Sequence, residues 1–289
     1  MPAFYQSANL ASLNGQKQFL RYFRARLVAL LVAAVGGAVA WRIDDFAPGA
    51  AVAVVFFLAA LAIEYLLSHN TPERIWYEGR AAAESAKTLT WRFVVGGESF
   101  PSDLPVAPAK KQLIGNLNEL LQDLEGLQLS DYDEGAPQIS DKMVALRSGS
   151  FEDRKALYKS ERIEDQRKWY AKKSTWNGNR AHNWGIAVVV CEFGGAALGT
   201  LAAFGVLDFD ILGILAAVAA AIVAWNQAKQ HKTLATAYDI TSQELASISS
   251  ELDMVDAEAD WAEFVGQAEE AISREHTLWR ASRGIRIKK

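Results

Sequence analysis

The chain contains a single cysteine, Cys191, so no intrachain disulfide can form, and neither CxxC pairs nor grouped His and Cys suggest a zinc site. Its four histidines, His69, His182, His231 and His276, are scattered. No run of Lys and Arg interleaved with aromatics offers a phosphate-tracking groove, and a formal charge of -4 over 289 residues argues against general nucleic-acid binding. Catalytic signatures are missing too. There is no HExxH, GxSxG or kinase set, and the glycine-rich run from Gly194 to Thr200 lacks the lysine of a P-loop and lies in an apolar stretch. The acidic stretch Ser130 to Pro137 does not supply the ligand series of a calcium loop. The expectation is a chain that is not an enzyme and carries no cofactor or metal.

What the chain does have is two long apolar hairpins. One runs from Leu27 to Leu67 around a turn at Arg42 to Gly49, the other from Trp184 to Ala228 around Leu207 to Asp210. The uncharged runs are Leu27 to Trp41, Phe46 to Ile63, Phe193 to Leu207 and Ile211 to Ala228. At about 1.5 Å per residue the shortest covers roughly 22 Å, less than the roughly 30 Å of bilayer hydrocarbon. Flanking residues make up the difference: Arg26 and Arg42 can extend to the interfaces, and Trp41, Tyr65, Trp184 and Trp225 stand near span ends where aromatic belts form. The fold class expected is therefore all-α, a polytopic membrane protein with two tandem hairpins, four spans and long cytoplasmic helices. A soluble four-helix bundle is the alternative, but its helices would seldom be apolar on every face. The first 26 residues are amphipathic rather than a cleavable signal, so Leu27 is read as the start of a signal-anchor-like helix.

Charge sets the expected orientation. Lys17, Arg21, Arg24 and Arg26 precede the first hairpin, Arg74 and Arg80 follow it, and Arg167, Lys168, Lys172, Lys173, Arg180, Lys229 and Lys232 flank the second. The hairpin turns hold Arg42 against Asp44, Asp45, Asp208 and Asp210. The positive-inside rule then puts both termini and the connector in the cytoplasm, with both hairpins in the same orientation. The lipid bilayer is the first partner expected.

Within the spans, Gly36 and Gly37, and Gly194, Gly195 and Gly199, are candidate helix contacts, the last two forming a GxxxG. Glu192 lies about eight positions into the third span, where a charged residue costs roughly 2.5 to 3.5 kcal/mol. It should face protein or water, and is the candidate to line a path; the other reading is a hydrogen-bonded carboxyl that only orients the bundle. Glu64, at a cytoplasmic span end, reads as interfacial.

Outside the spans, Leu113, Leu117, Leu120, Leu124 and Leu127 form a seam of about two heptads for packing on another helix. Arg80, Glu84, Lys87 and Trp91 share a helix face, as do Tyr158, Arg162, Gln166 and Tyr170 with Trp169 and Lys173 beside them, and Glu275, Trp279 and Arg283 repeat the style. Helix packing with surface ion pairs is one reading of these faces. The other is a cytoplasmic subunit or partner interface anchored by Arg80, Glu84, Trp91, Tyr158, Arg162, Gln166, Trp169, Tyr170 and Trp279.

The segment from Arg80 through Glu84, Lys87, Trp91 and Phe93 to Gly96-Gly97 and Phe100-Pro101 directly follows one hairpin. The run Tyr158, Arg162, Gln166, Trp169-Tyr170 and Lys173 directly precedes the other, and Glu275-His276 with Trp279 comes near the end. This arrangement resembles the SLATT family, the SMODS- and SLOG-associating two-transmembrane effector domains, in tandem. Residues 1–135 then form the first domain, with its hairpin at 27–67 and helices over 72–130. Residues 136–289 form the second, with its hairpin at 184–228 and helices over 150–180 and 230–283. The resemblance implies a membrane effector of bacterial conflict systems, including antiphage defence, that forms pores or depolarises the membrane when a nucleotide-signal module is activated. No synthase or sensor domain is recognisable in this chain, so on that reading the sensing protein is a separate partner. A hairpin is too thin to enclose water alone, so a homo-oligomer is expected. The competing class is a non-conducting scaffold that recruits cytoplasmic partners; a transporter would need broken helices, for which only Gly194-Gly195 beside Glu192 speaks.

Overall fold

The computed structural model describes residues 1–39, 42–122, 124, 129, 135–206 and 210–282, with the backbone alone for 274–282. Trp41, Asp208, the stretch Ser130 to Glu134, Leu127 and Arg283 lie outside the described residues, as does the Trp279 side chain. Helices make up the fold. In chain order they are α1 (Ala3–Ala38), α2 (Pro48–Asn70), α3 (Pro72–Val95), α4 (Val106–Gln122), α5 (Asp141–Arg147), α6 (Phe151–Leu157), α7 (Asp165–Ala203), α8 (Ile211–Lys229), α9 (His231–Asp253) and α10 (Glu258–Ser282). A π-helical segment, Tyr158–Glu164, joins α6 to α7.

The boundaries follow local chemistry. Pro48 starts α2, where the missing amide costs no hydrogen bond. Ser150 caps α6 by accepting from the Asp153 amide at 3.2 Å while its hydroxyl donates to Asp153 Oδ2. Asp210 caps α8 by accepting from the Gly213 amide at 2.9 Å. The apolar helices α2 and α8 stop in the same way. Thr71 and Gln230, with φ of 41° and 52°, take left-handed conformations and return their amides to Leu67 and Asn226. Each is followed at once by another helix, α3 or α9, so the second helix of both hairpins ends in one shared device.

The chain divides into two compact units, each drawing on both halves of the sequence. Unit 1 comprises residues 1–16, 73–173 and 236–289; unit 2 comprises 17–72 and 174–235. Unit 1 has a conventional core in which Phe93, Phe100, Leu113, Leu117 and Met143 from the first half pack with Tyr158, Ile163, Leu245, Trp261 and Val265 from the second. Leu113 and Leu117 of the leucine seam are buried on α4, and Leu120 and Leu124 pack partly buried against the same core. Burial of large apolar side chains at about 25 cal/mol per Å² is what holds such a unit together.

Unit 2 is built differently. Among the described residues three helical runs, Pro48–Val95, Phe151–Ala203 and Ile211–Asp253, contain stretches long and apolar enough to cross a bilayer, and only 6% of each such stretch is buried within the chain. These stretches are α2, the later part of α7, and α8. Leu61, Val189, Phe193 and Phe204 are among the large apolar side chains left exposed there. A soluble domain buries such surface, so lipid is its natural solvent. The apolar part of α1, Leu27 to Ala38, covers only about 18 Å within the described helix.

Candidate functional site

The end of α3 shows how unit 1 is organised. A helix terminus leaves its last carbonyls without partners, and cationic donors suit that end of the dipole. Gly96 turns the chain with φ of 79°, and the Gly97 amide returns to the Arg92 carbonyl at 2.8 Å. The Val95 carbonyl then accepts from Arg154 Nη1 at 2.8 Å and from Trp261 Nε1 at 2.6 Å. Arg147, also buried, donates to four carbonyls: Phe93 and Phe100 through Nη1 at 2.9 and 2.7 Å, Pro101 and Leu104 through Nη2 at 2.6 and 3.0 Å. Only a forked guanidinium reaches four oxygens in this way. Arg154 continues to Glu258, 2.6 Å away. Burial opposes the Glu258 charge, but hydrogen bonds from Arg154 and Ser102 and the Arg154 charge outweigh it and hold this carboxyl below its usual range.

At the centre of unit 1 the two ladders singled out in the sequence meet. Arg162 donates to Glu269 through Nε at 2.8 Å and Nη2 at 2.7 Å. The same carboxylate accepts from the hydroxyls of Tyr158 at 3.0 Å and Thr88 at 2.9 Å. The pair is 1% and 0% exposed, and among the described residues the buried Arg162 Nη1 has no hydrogen-bond partner. Around it, Arg80 pairs with Glu84 at 3.1 Å, Lys87 reaches Gln166 Oε1 at 3.3 Å, and Trp91 meets Tyr158 edge-on at 6.0 Å. Tyr170 is buried against Trp169 and Tyr238, while Trp169 keeps an exposed edge beneath Lys173. The candidate interface residues Arg80, Glu84, Trp91, Tyr158, Arg162, Gln166 and Tyr170 thus contact one another, or the core, within this chain.

Sequence reasoning missed Glu269, Thr88, Trp261, Arg147 and Arg154. For Glu269 a signal existed: it lies in the stripe Trp261, Val265, Ala268 and Ile272, which unit 1 buries. A carboxylate on such a stripe needs a partner.

In unit 2 the helix crossings are close. A Cβ on Gly36 would lie 2.8 Å from the Gly49 carbonyl oxygen and one on Gly49 would lie 2.5 Å from that of Gly36, so α1 and α2 touch backbone to backbone. Gly37 faces open space. Gly195 and Gly199 face Leu212 of α8, with Gly194 near Leu215 at the margin. Gly49 is the contact that sequence reasoning left out. Glu64 pairs with Arg26 at 2.9 Å, bringing the start of the α1 apolar stretch beside the end of α2. Glu192 lies three and seven residues before Gly195 and Gly199 on α7, on the same side of the helix. It is exposed on α7 beside Val189, Val190 and Phe193, which are 63%, 63% and 77% exposed.

Residues 2–155 match the family model for SMODS and SLOG-associating 2TM effector domain 3, and residues 158–279 that for domain 1 of the same series. The chain belongs to the SLATT family. Two SLATT domains therefore stand in tandem, meeting within the α6 and π-helical segment that delivers Tyr158 and Arg162. No curated protein and no solved structure matches. As a SLATT chain with membrane-type helices, it is a membrane protein carrying effector domains of the two-transmembrane kind.

Proposed function

We propose that this SLATT protein is an oligomeric pore- or channel-forming effector of the bacterial inner membrane, acting in a conflict or nucleotide-signalling system. In this reading both hairpins span, the apolar end of α1 serves as the fourth span with help from its basic and aromatic flanks, and both termini are cytoplasmic. A separate nucleotide-sensing protein supplies the trigger.

The observation that carries the reading is the outward exposure of Glu192 at span depth. Against hydrocarbon such a carboxyl costs roughly 2.5 to 3.5 kcal/mol, and among the described residues Glu192 is left exposed. Several copies arranged about an axis would turn that face of α7 from lipid to a shared aqueous path, removing the cost. The α1 and α2 hairpin, with its close glycine crossing, then serves as the outer anchor.

Planar-bilayer recording of the purified chain tests this. Channel events with cation selectivity, altered in Glu192→Gln, are expected. Unchanged currents in the variant would remove Glu192 from the path. Silence across voltage, pH and candidate nucleotides would leave anchoring and partner recruitment as the role.

A further inference from the structure

Unit 2 gathers aromatic and basic groups at one end of its apolar helices. Arg24 precedes the uncharged run of α1, and Trp225 and Lys229 close α8. Phe23 and Trp225 stack at 6.5 Å, so these helix ends are neighbours at one level. The Arg24 guanidinium lies 5.1 Å from the Trp225 ring centroid and Lys229 Nζ lies 5.5 Å from the same centroid. Two cations therefore share one indole. Among the described residues neither has a carboxylate within ion-pair distance, and the acidic group at this end, Glu64, is taken by Arg26.

We propose that Arg24, Lys229 and Trp225 form a binding site for the phosphate of an anionic phospholipid headgroup. Two like charges against one ring repel each other, and an anion between them reverses that repulsion. Indole at the end of an apolar helix sits at headgroup depth, where its ring meets acyl chains and its cationic neighbours meet phosphate. A soluble phosphate would satisfy the charges but make no use of the apolar helices α1 and α8 that end beside them, whereas a phospholipid engages both. The site depends on unit 2 lying in a bilayer and not on whether the protein conducts.

Lipid occupancy on the detergent-solubilised full-length protein, read by native mass spectrometry, tests the assignment with phosphatidylglycerol, phosphatidylcholine and inorganic phosphate as probes. Phosphatidylglycerol should be retained over phosphatidylcholine, with affinity falling about fivefold in Arg24→Gln or Lys229→Gln and more than tenfold in the double variant. The charge-matched control Lys168→Gln/Lys172→Gln should retain lipid, and Arg24→Lys/Lys229→Arg should retain it too, which separates charge from folding. Equal loss in the control and the double variant would overturn the site. Displacement of the lipid by inorganic phosphate alone would overturn the headgroup as its occupant.

Discussion

Arg162 and Glu269 stand 107 positions apart in sequence and meet as a two-pronged ion pair, 2.7 and 2.8 Å long, inside the core of unit 1. The pair joins the start of the second SLATT domain to α10, and Thr88 on the same carboxylate ties in α3 of the first. Removing one partner strands a buried charge, which costs about 3 to 5 kcal/mol, whereas replacing both with apolar groups removes the desolvation penalty as well. Arg162→Met and Glu269→Met should each lower the thermal midpoint of the detergent-solubilised protein sharply. Arg162→Met/Glu269→Met should recover much of that loss. Additive losses in the double variant would mean that the two residues act independently.

Much of this arrangement can be read locally and some of it cannot. The apolar runs mark α2 and α8 because a bilayer-length stretch without charge has few other uses, and Ser150 and Asp210 mark helix starts through their side-chain oxygens. The spacing of Tyr158, Arg162, Gln166 and Tyr170 points to one buried face, but the same spacing reads as plain α-helix and hides the π-helical segment. Which helices share a core is a nonlocal matter. Periodicity places Leu113 and Trp261 on inward faces without saying that they face a common interior, so two domains in sequence give no hint of two spatial units that cross them. Glu192 was legible as a costly residue, but its direction depends on where α8 packs.

The backbone contact between Gly36 and Gly49 predicts a sharp contrast between neighbouring glycines. Gly49→Ala would push a methyl against the Gly36 carbonyl, where no side chain can rotate away, so α1 and α2 must separate at a cost of about 1 to 3 kcal/mol. Gly37→Ala meets nothing within 4 Å and should be neutral or stabilising by about 0.5 to 1 kcal/mol, since alanine loses less backbone entropy. Thermal midpoints of both variants in one detergent would show the contrast. Equal effects would remove the crossing as a determinant of hairpin stability.

Arg147 organises the turn after α3 through four carbonyls, so Arg147→Lys should not be conservative. An ammonium group has three donors and no planar fork, and leaves buried oxygens without partners at about 1 to 3 kcal/mol each. Hydrogen exchange should rise at Gly97 and Phe100, whose amides close this turn, before it rises in α10. Uniform loosening of the whole unit would instead point to a general core defect.

Glu258 gives unit 1 a defined acid response. Its carboxyl is held below the usual 4.5 in the folded chain, with burial opposing and the Arg154 and Ser102 contacts prevailing. The unfolded chain therefore binds the proton more readily, so folding gains stability above about pH 4.5 and loses that gain as pH falls through the folded value. Because the Glu258 side chain is 41% exposed, solvent screens the pair and the effect is modest. Between about pH 6 and about pH 3 the wild-type midpoint should fall further than that of Glu258→Gln, which has no carboxylate to protonate. The buried Arg154 should still donate to the Val95 carbonyl in the variant, so the comparison isolates the ion pair from the α3 terminus. Parallel midpoint curves for the two proteins would show that the acid response arises elsewhere in the chain.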